Sequence, residues 1–179
     1  MRKTAIAAVL AMVGLLLVLT AQASACRGVK RPPSRQSIDE ARRAVTCLIN
    51  RRRAHRGLRR LRGSVALGAA AQGHSDAMAA LNFFSHDGGD GTPVSRAQAA
   101  GYTAGARTWG IGEDLEWATR KASSPRAIVR GWMRSPEHRS VMFSRHFRHI
   151  GIGITDGSPL NPDPQNAAVF TADFGFRKG

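Results

Sequence analysis

Ile150-Gly151-Ile152-Gly153-Ile154-Thr155 alternates isoleucine with glycine, the period of a β-strand. Val169-Phe170-Thr171-Ala172-Asp173-Phe174-Gly175-Phe176 reads as its partner. Val169, Thr171, Asp173 and Gly175 share one face, and Phe170, Ala172, Phe174 and Phe176 share the other. The connection from Asp156 to Asn166 carries Pro159, Pro162 and Pro164 and is read as a loop. Upstream of these strands the periods are helical. Ser37-Ile38-Asp39-Glu40 has the form of a capping box, and Ala41, Ala44, Val45, Leu48 and Ile49 follow at helical spacing up to a stop near Gly57. A second helix is expected from about Val65 to Leu81, with Leu67, Ala70, Ala71, His74, Met78 and Leu81 on one face. Thr92-Pro93 opens a short helix ending near Gly101, and Ser124-Pro125 opens another carrying Ile128, Val129, Trp132 and Met133. Helices first and strands late predict an α+β domain, a short antiparallel sheet covered by helices.

The chain has 179 residues, 42% of them hydrophobic and 22% charged, which excludes a disordered or collagen-like polymer. Its formal charge is +15, and nearly all the bases are arginine. Such a surface suits anionic phospholipid or anionic cell-surface polymers. No RNA-recognition or helix-turn-helix signature accompanies the charge, so no specific nucleic acid is expected.

Residues 1–25 have the layout of an export signal. Arg2 and Lys3 precede an apolar run from Ala5 to Leu19, and Ala23-Ser24-Ala25 gives the small-x-small cleavage pattern. Residues 26–36, with Pro32 and Pro33, read as a linker, and 37–179 as one domain. The two cysteines, Cys26 and Cys47, are expected to form a disulfide in the exported chain. The rival reading takes Ala23-Ser24-Ala25-Cys26 as a lipobox-like signal and Cys26 as a lipid anchor.

Several short motifs occur in a specific order: Leu48-Ile49-Asn50-Arg51, Ala70-Ala71-Gln72-Gly73-His74-Ser75, Phe84-Ser85-His86, Gly112-Glu113-Asp114-Leu115, Trp132-Met133, Ser135-Pro136-Glu137-His138-Arg139, Ile150 to Ile154, and Asp173-Phe174-Gly175. Together they resemble the CAP superfamily (cysteine-rich secretory proteins, antigen 5 and pathogenesis-related proteins, or SCP domain), most of all its exported bacterial branch. The resemblance implies an α-β-α sandwich with a central cleft. In many members two His and two Glu line that cleft, and some bind a divalent metal. The first His falls on His86, one Glu on Glu113 and the second His on His138. Asp114 stands where the family usually has Asn, and the second Glu has no clear match, with Glu137 and Glu116 as the nearby candidates.

Two imidazoles and a carboxylate are zinc-ligand chemistry, so His86, His138 and Glu113 are the expected metal ligands, zinc the candidate occupant, and no cofactor is required. Asp114 beside Glu113 would hold an imidazole protonated or favour a cation. On that view Asp114→Asn raises stability by about 0.5–1.5 kcal/mol and weakens cation binding. His74 reads as a core-edge histidine, and His146 and His149 as members of a basic loop. No nucleophile elbow, His-Glu-x-x-His helix or phosphate loop occurs, and no catalytic residue is assigned.

The combined expectation is a secreted, monomeric, non-enzymatic protein. It binds a small lipid-like or wall-derived ligand near His86, Glu113, His138, Asp114 and Glu137, with peripheral membrane contact allowed. The alternatives are a metal-assisted hydrolase and a basic wall-adhesion protein.

Overall fold

The computed structural model describes residues 26–160 and 164–179. The expected export signal, 1–25, lies outside the described residues. Local signals, a capping side chain or a proline, mark each helix start. Ser37 Oγ accepts from the Glu40 N–H at 3.2 Å, and Glu40 Oε2 accepts from the Ser37 N–H at 3.3 Å, so the capping box opens α1, Ile38–Ala54. Ser64 caps α2, Val65–Leu81, which ends where Asn82 turns left-handed at φ 55°. Thr92 caps α3, Pro93–Ala99. Pro125 starts α4, Pro125–Arg134. Ser135 then caps α5, Pro136–Met142, which the sequence pattern had left undivided from its surroundings.

The strands are β1 (Arg62–Gly63), β2 (Thr108–Thr119), β3 (His149–Asp156) and β4 (Ala167–Lys178), in the order β1-β3-β4-β2. β3 and β4 pair antiparallel as read, and β4 pairs antiparallel with β2, a strand the sequence reading did not contain. β1 pairs parallel to β3, so the sheet is mixed at that edge.

Helices cover both faces, giving the α-β-α sandwich. On one face Ile150, Ile152, Ile154, Phe170, Ala172 and Phe174 pack against Val45 and Ile49 of α1, Ile128 and Trp132 of α4, and Met142 of α5. The Trp132 indole donates to Leu115 O at 2.9 Å, which closes its one polar group in the core. On the other face α2 approaches β3 so closely that a Cβ on Gly151 or Gly153 would collide with the helix backbone at Leu67–Gly68 or Ala71–Gln72. The glycines of the Ile-Gly alternation therefore admit α2 rather than merely interrupting a strand.

The segment read as a linker is packed. Val29, Pro32 and Pro33 are buried, and Val29 O accepts from the Arg126 N–H at 2.9 Å. Cys26 is bonded to Cys47 of α1 with a Cα–Cα distance of 5.7 Å. That bond occupies the sulfur that lipidation would need, so the lipid-anchor reading does not hold for this disulfide-bonded chain. No described helix is long and apolar enough to cross a membrane.

Candidate functional site

Strand alternation decides which acids meet. Glu113 of β2 stands directly opposite Asp173 of β4, and Asp173 opposite Gly151 of β3, so this row faces α2 and α3. Glu113 and Asp173 are both buried. Asp114 is the next residue along β2 and therefore points to the opposite face, in register with Ala172 and Ile152. The expected pair of cleft carboxylates, Glu113 with Asp114, is thus corrected: the acid beside Glu113 is Asp173.

Glu113 is held from two sides. Arg96 Nη2, from α3, donates to Glu113 Oε2 at 2.8 Å, and His86 Nδ1 donates to Glu113 Oε1 at 2.8 Å. Arg96 itself is buried and fixes the loop that carries His86. Its guanidinium donates to Gly91 O at 2.6 Å and to His86 O at 3.0 Å. His74, fully buried on α2, pins the same loop through Asp90 Oδ2 at 2.7 Å and Ser85 O at 2.9 Å. Its placement between helix and loop matches the core-edge reading.

These contacts shape the electrostatics. The hydrogen bond to Glu113 is the main reason that the His86 imidazole is held above its ordinary value, against the opposing effect of burial. Its side chain stays 52% exposed, so the imidazole presents a solvent-facing edge. Burial, reinforced by the charge of Glu113, pushes Asp173 well above the usual carboxylate range. Asp114 is pushed up to about 8, first by burial and then by Glu113, and neither of its oxygens has a hydrogen-bond partner.

The other expected residues make no hydrogen bond to this knot among the described residues. His138, on α5, is half-buried, and burial followed by the nearby His86 cation lowers it. Glu137 is exposed in the first turn of α5, where its carboxylate accepts from Ser135 Oγ at 2.7 Å. Glu116 shares the face of Asp114 and lies against Gly131 of α4. Neither of these two glutamates supplies a second cleft Glu. His149 is tied to Tyr102 Oη at 2.8 Å, and His146 is exposed.

Glu113 is not placed to ligate a divalent metal directly, because Arg96 and His86 engage both of its oxygens. A carboxylate on His86 Nδ1 is the usual support of a metal-bound imidazole, so His86, through Nε2, and His138 are the residues that would hold a zinc ion. Among the described residues, no group of three or more His, Cys, Asp or Glu is placed to hold a metal. Sequence reasoning missed Arg96 and Asp173. An acid on the otherwise apolar or small face of Val169, Thr171 and Gly175 was the available signal for Asp173.

Comparison with known proteins places this geometry. The sequence model of the family described as CAP, cysteine-rich secretory protein family, matches residues 47–174. The chain is 26% identical over 125 residues to the uncharacterized protein YkwD of Bacillus subtilis, covering 69% of this chain and 46% of that protein. An extracellular SCP-domain protein of Bacillus anthracis superposes with a TM-score of 0.60 at 25% identity, over 80% of this chain and 44% of the other. An outer surface protein of Borrelia burgdorferi superposes with a TM-score of 0.62 at 19% identity, over 75% of this chain and 90% of the other. The chain thus spans less than half the length of the two Bacillus proteins.

Proposed function

The chain belongs to the CAP, or cysteine-rich secretory protein, family, and from that premise we propose an exported bacterial protein that binds an amphiphilic, lipid-like or wall-derived molecule without transforming it. Export is supported by the Cys26–Cys47 disulfide and by the extracellular and outer-surface descriptions of its structural relatives.

The observation that carries the binding reading is the Arg96–Glu113–His86 knot. A general base needs a carboxylate or imidazole free to take a proton. Here the carboxylate is neutralised from both sides, and the imidazole nitrogen nearest to it is already bonded. What remains available is the exposed edge of a His86 ring held toward its protonated form, a donor for an anionic or acceptor head group. Leu81, Phe84 and Val94, exposed apolar side chains, lie along the same segment between the end of α2 and the start of α3. They would take the apolar part of the ligand, with His138 on the α5 side as a second polar contact.

Native mass spectrometry and elemental analysis of protein purified from its own culture medium test this reading. A retained non-covalent organic mass without stoichiometric metal is expected. Dodecanoate serves as the defined probe, and both His86→Ala and Phe84→Ser should weaken its binding. Unchanged dodecanoate affinity in both variants, or stoichiometric zinc lost on His86→Ala, would overturn the proposal.

A further inference from the structure

A second cluster of charge lies where the packed N-terminal segment meets the ends of β2 and β4 and the start of α4. A cavity of about 1060 Å³ is lined there by Lys30, Arg31, Arg35, Arg120, Lys121 and Arg126. None of the described lining residues is acidic. All six cations are exposed, and none takes part in an ion pair among the described residues. Like charges gathered around one hollow repel each other and leave a strong positive potential for an anion to fill.

Backbone strain adds an independent observation. Arg120 sits at φ 52° and Asn166 at φ 58°, both left-handed, and the Arg120 N–H donates to Asn166 O at 2.7 Å. Left-handed backbone is unfavourable for a residue with a Cβ, and glycine would adopt it freely. The fold nonetheless places an arginine at this bend, on the wall of the cavity. Such strain concentrates where a side chain must be aimed.

The lining also selects the kind of anion. Its described residues include no aromatic ring on which a base could stack, which disfavours single-stranded nucleic acid. None of Val65, Leu81, Phe84, Val94 and Leu160, the exposed large apolar residues, lines it, which disfavours insertion into a membrane. Four of the six cations are arginines, whose forked donors match phosphate oxygens in pairs. The basic surface also continues past this hollow. Arg126 is shared with a cavity that adds Arg51, Arg52 and Arg130, and Arg31 with another that adds Arg27, Arg43 and Arg60 beside a single acid, Glu40. A single phosphate would leave most of that track empty.

We propose that this arginine track binds a linear polymer with repeating phosphate groups, independently of the His86 cleft.

Fluorescence titration of the full chain with linear polyphosphate, orthophosphate, polyglutamate and phosphatidylglycerol vesicles tests it. Polyphosphate is expected to bind and to weaken at least tenfold between about 50 and 200 mM salt, as released counterions demand. Arg120→Gly and Arg35→Gln should each weaken it about fivefold. Arg107→Ser, an exposed arginine outside these cavities, and His86→Ala should leave it unchanged. Arg120→Gly should melt no lower than the wild type, because it removes strain together with charge, so lost binding cannot be put down to unfolding. Orthophosphate binding as tightly as the polymer would overturn the polymer assignment. Equal or tighter binding of polyglutamate would overturn the phosphate assignment, and equal or tighter binding of the vesicles would overturn the linear polymer in favour of a phospholipid surface. Equal losses in Arg107→Ser and Arg120→Gly would overturn the site.

Discussion

Replacing Asp114 with Asn isolates the cost of one buried acid. Asp114 is fully buried, its two oxygens have no partner, and its carboxyl is pushed up to about 8 from an ordinary 3.8. Between those values the unfolded chain has released a proton that the folded chain still holds. Each pH unit climbed in that window costs the folded state about 1.4 kcal/mol. From 3.8 up to pH 7 the loss therefore reaches about 4 kcal/mol. Asn cannot ionise and escapes the whole of it. Its amide is left as unpaired as the acid was and returns about 1 kcal/mol. The expected net gain at pH 7 is about 3 kcal/mol, or about 6–12 °C in Tm for a domain of this size.

The sign gives the decisive control. A raised folded-state value means that the contribution is fully present below 3.8 and is lost as pH rises through about 8. At pH 4 the folded chain keeps the proton and the unfolded chain has released little more than half of it, so the loss is only about 0.5 kcal/mol and the advantage of Asn should fall to about zero. Thermal melts of both proteins at pH 4 and pH 7, followed by circular dichroism, are sufficient. An equal shift at the two pH values, or destabilisation at pH 7, would refute the burial argument. The larger gain, compared with that expected from a repelling pair, follows from where strand geometry puts the side chain. Burial among Ala172, Ile152 and the α4–α5 face outweighs the charge of Glu113.

Three other outcomes are expected. Glu113→Gln removes the bond that holds His86 up, so the His86 titration followed by NMR should move down, and an unmoved titration would show that the bond is absent in solution. Gly153→Ala drives a Cβ into the α2 backbone and should cost about 3 kcal/mol in chemical denaturation, whereas Gly63→Ala, with open space around it, should cost far less. Replacing both cysteines with Ser opens the Cys26–Cys47 link and should lower stability by about 3 kcal/mol, with no further drop when reductant is added.

The helices were legible because their signals are local. Ser37 with Glu40, Thr92 before Pro93 and Ser124 before Pro125 announce helix starts within a few residues, and each start stands where those residues put it. β3 and β4 were legible because both are central, with clean alternation over a buried sheet. β2 was not. It is the edge strand of its sheet, and Gly110, Gly112, Glu113, Asp114 and Glu116 interrupt any apolar period. The polarity that hides β2 as a strand is the same polarity that makes its Glu113 row a site. Residues 26–36 misled for a related reason. Pro32 and Pro33 suggest a tether, but burial against α4 and the disulfide to α1 come from distant parts of the chain.

The site was legible only through its motifs. His86 and Glu113 were named from the Phe-Ser-His and Gly-Glu-Asp segments, and the fold joins them at 2.8 Å. Nothing in those segments shows that Arg96 would take the other carboxylate oxygen, because that contact depends on how α3 docks against β2. Adjacency in sequence also pointed to the wrong neighbour. In a strand the next residue faces away, and the residue across the ladder faces in, so Asp173 rather than Asp114 completes the row. The consequence for function is chemical. A carboxylate closed between a guanidinium and an imidazole has little affinity left for a metal or a proton, whereas the half-exposed imidazole that it supports remains free to donate. The charge balance of this row therefore leaves His86, not Glu113, as the group that faces solvent.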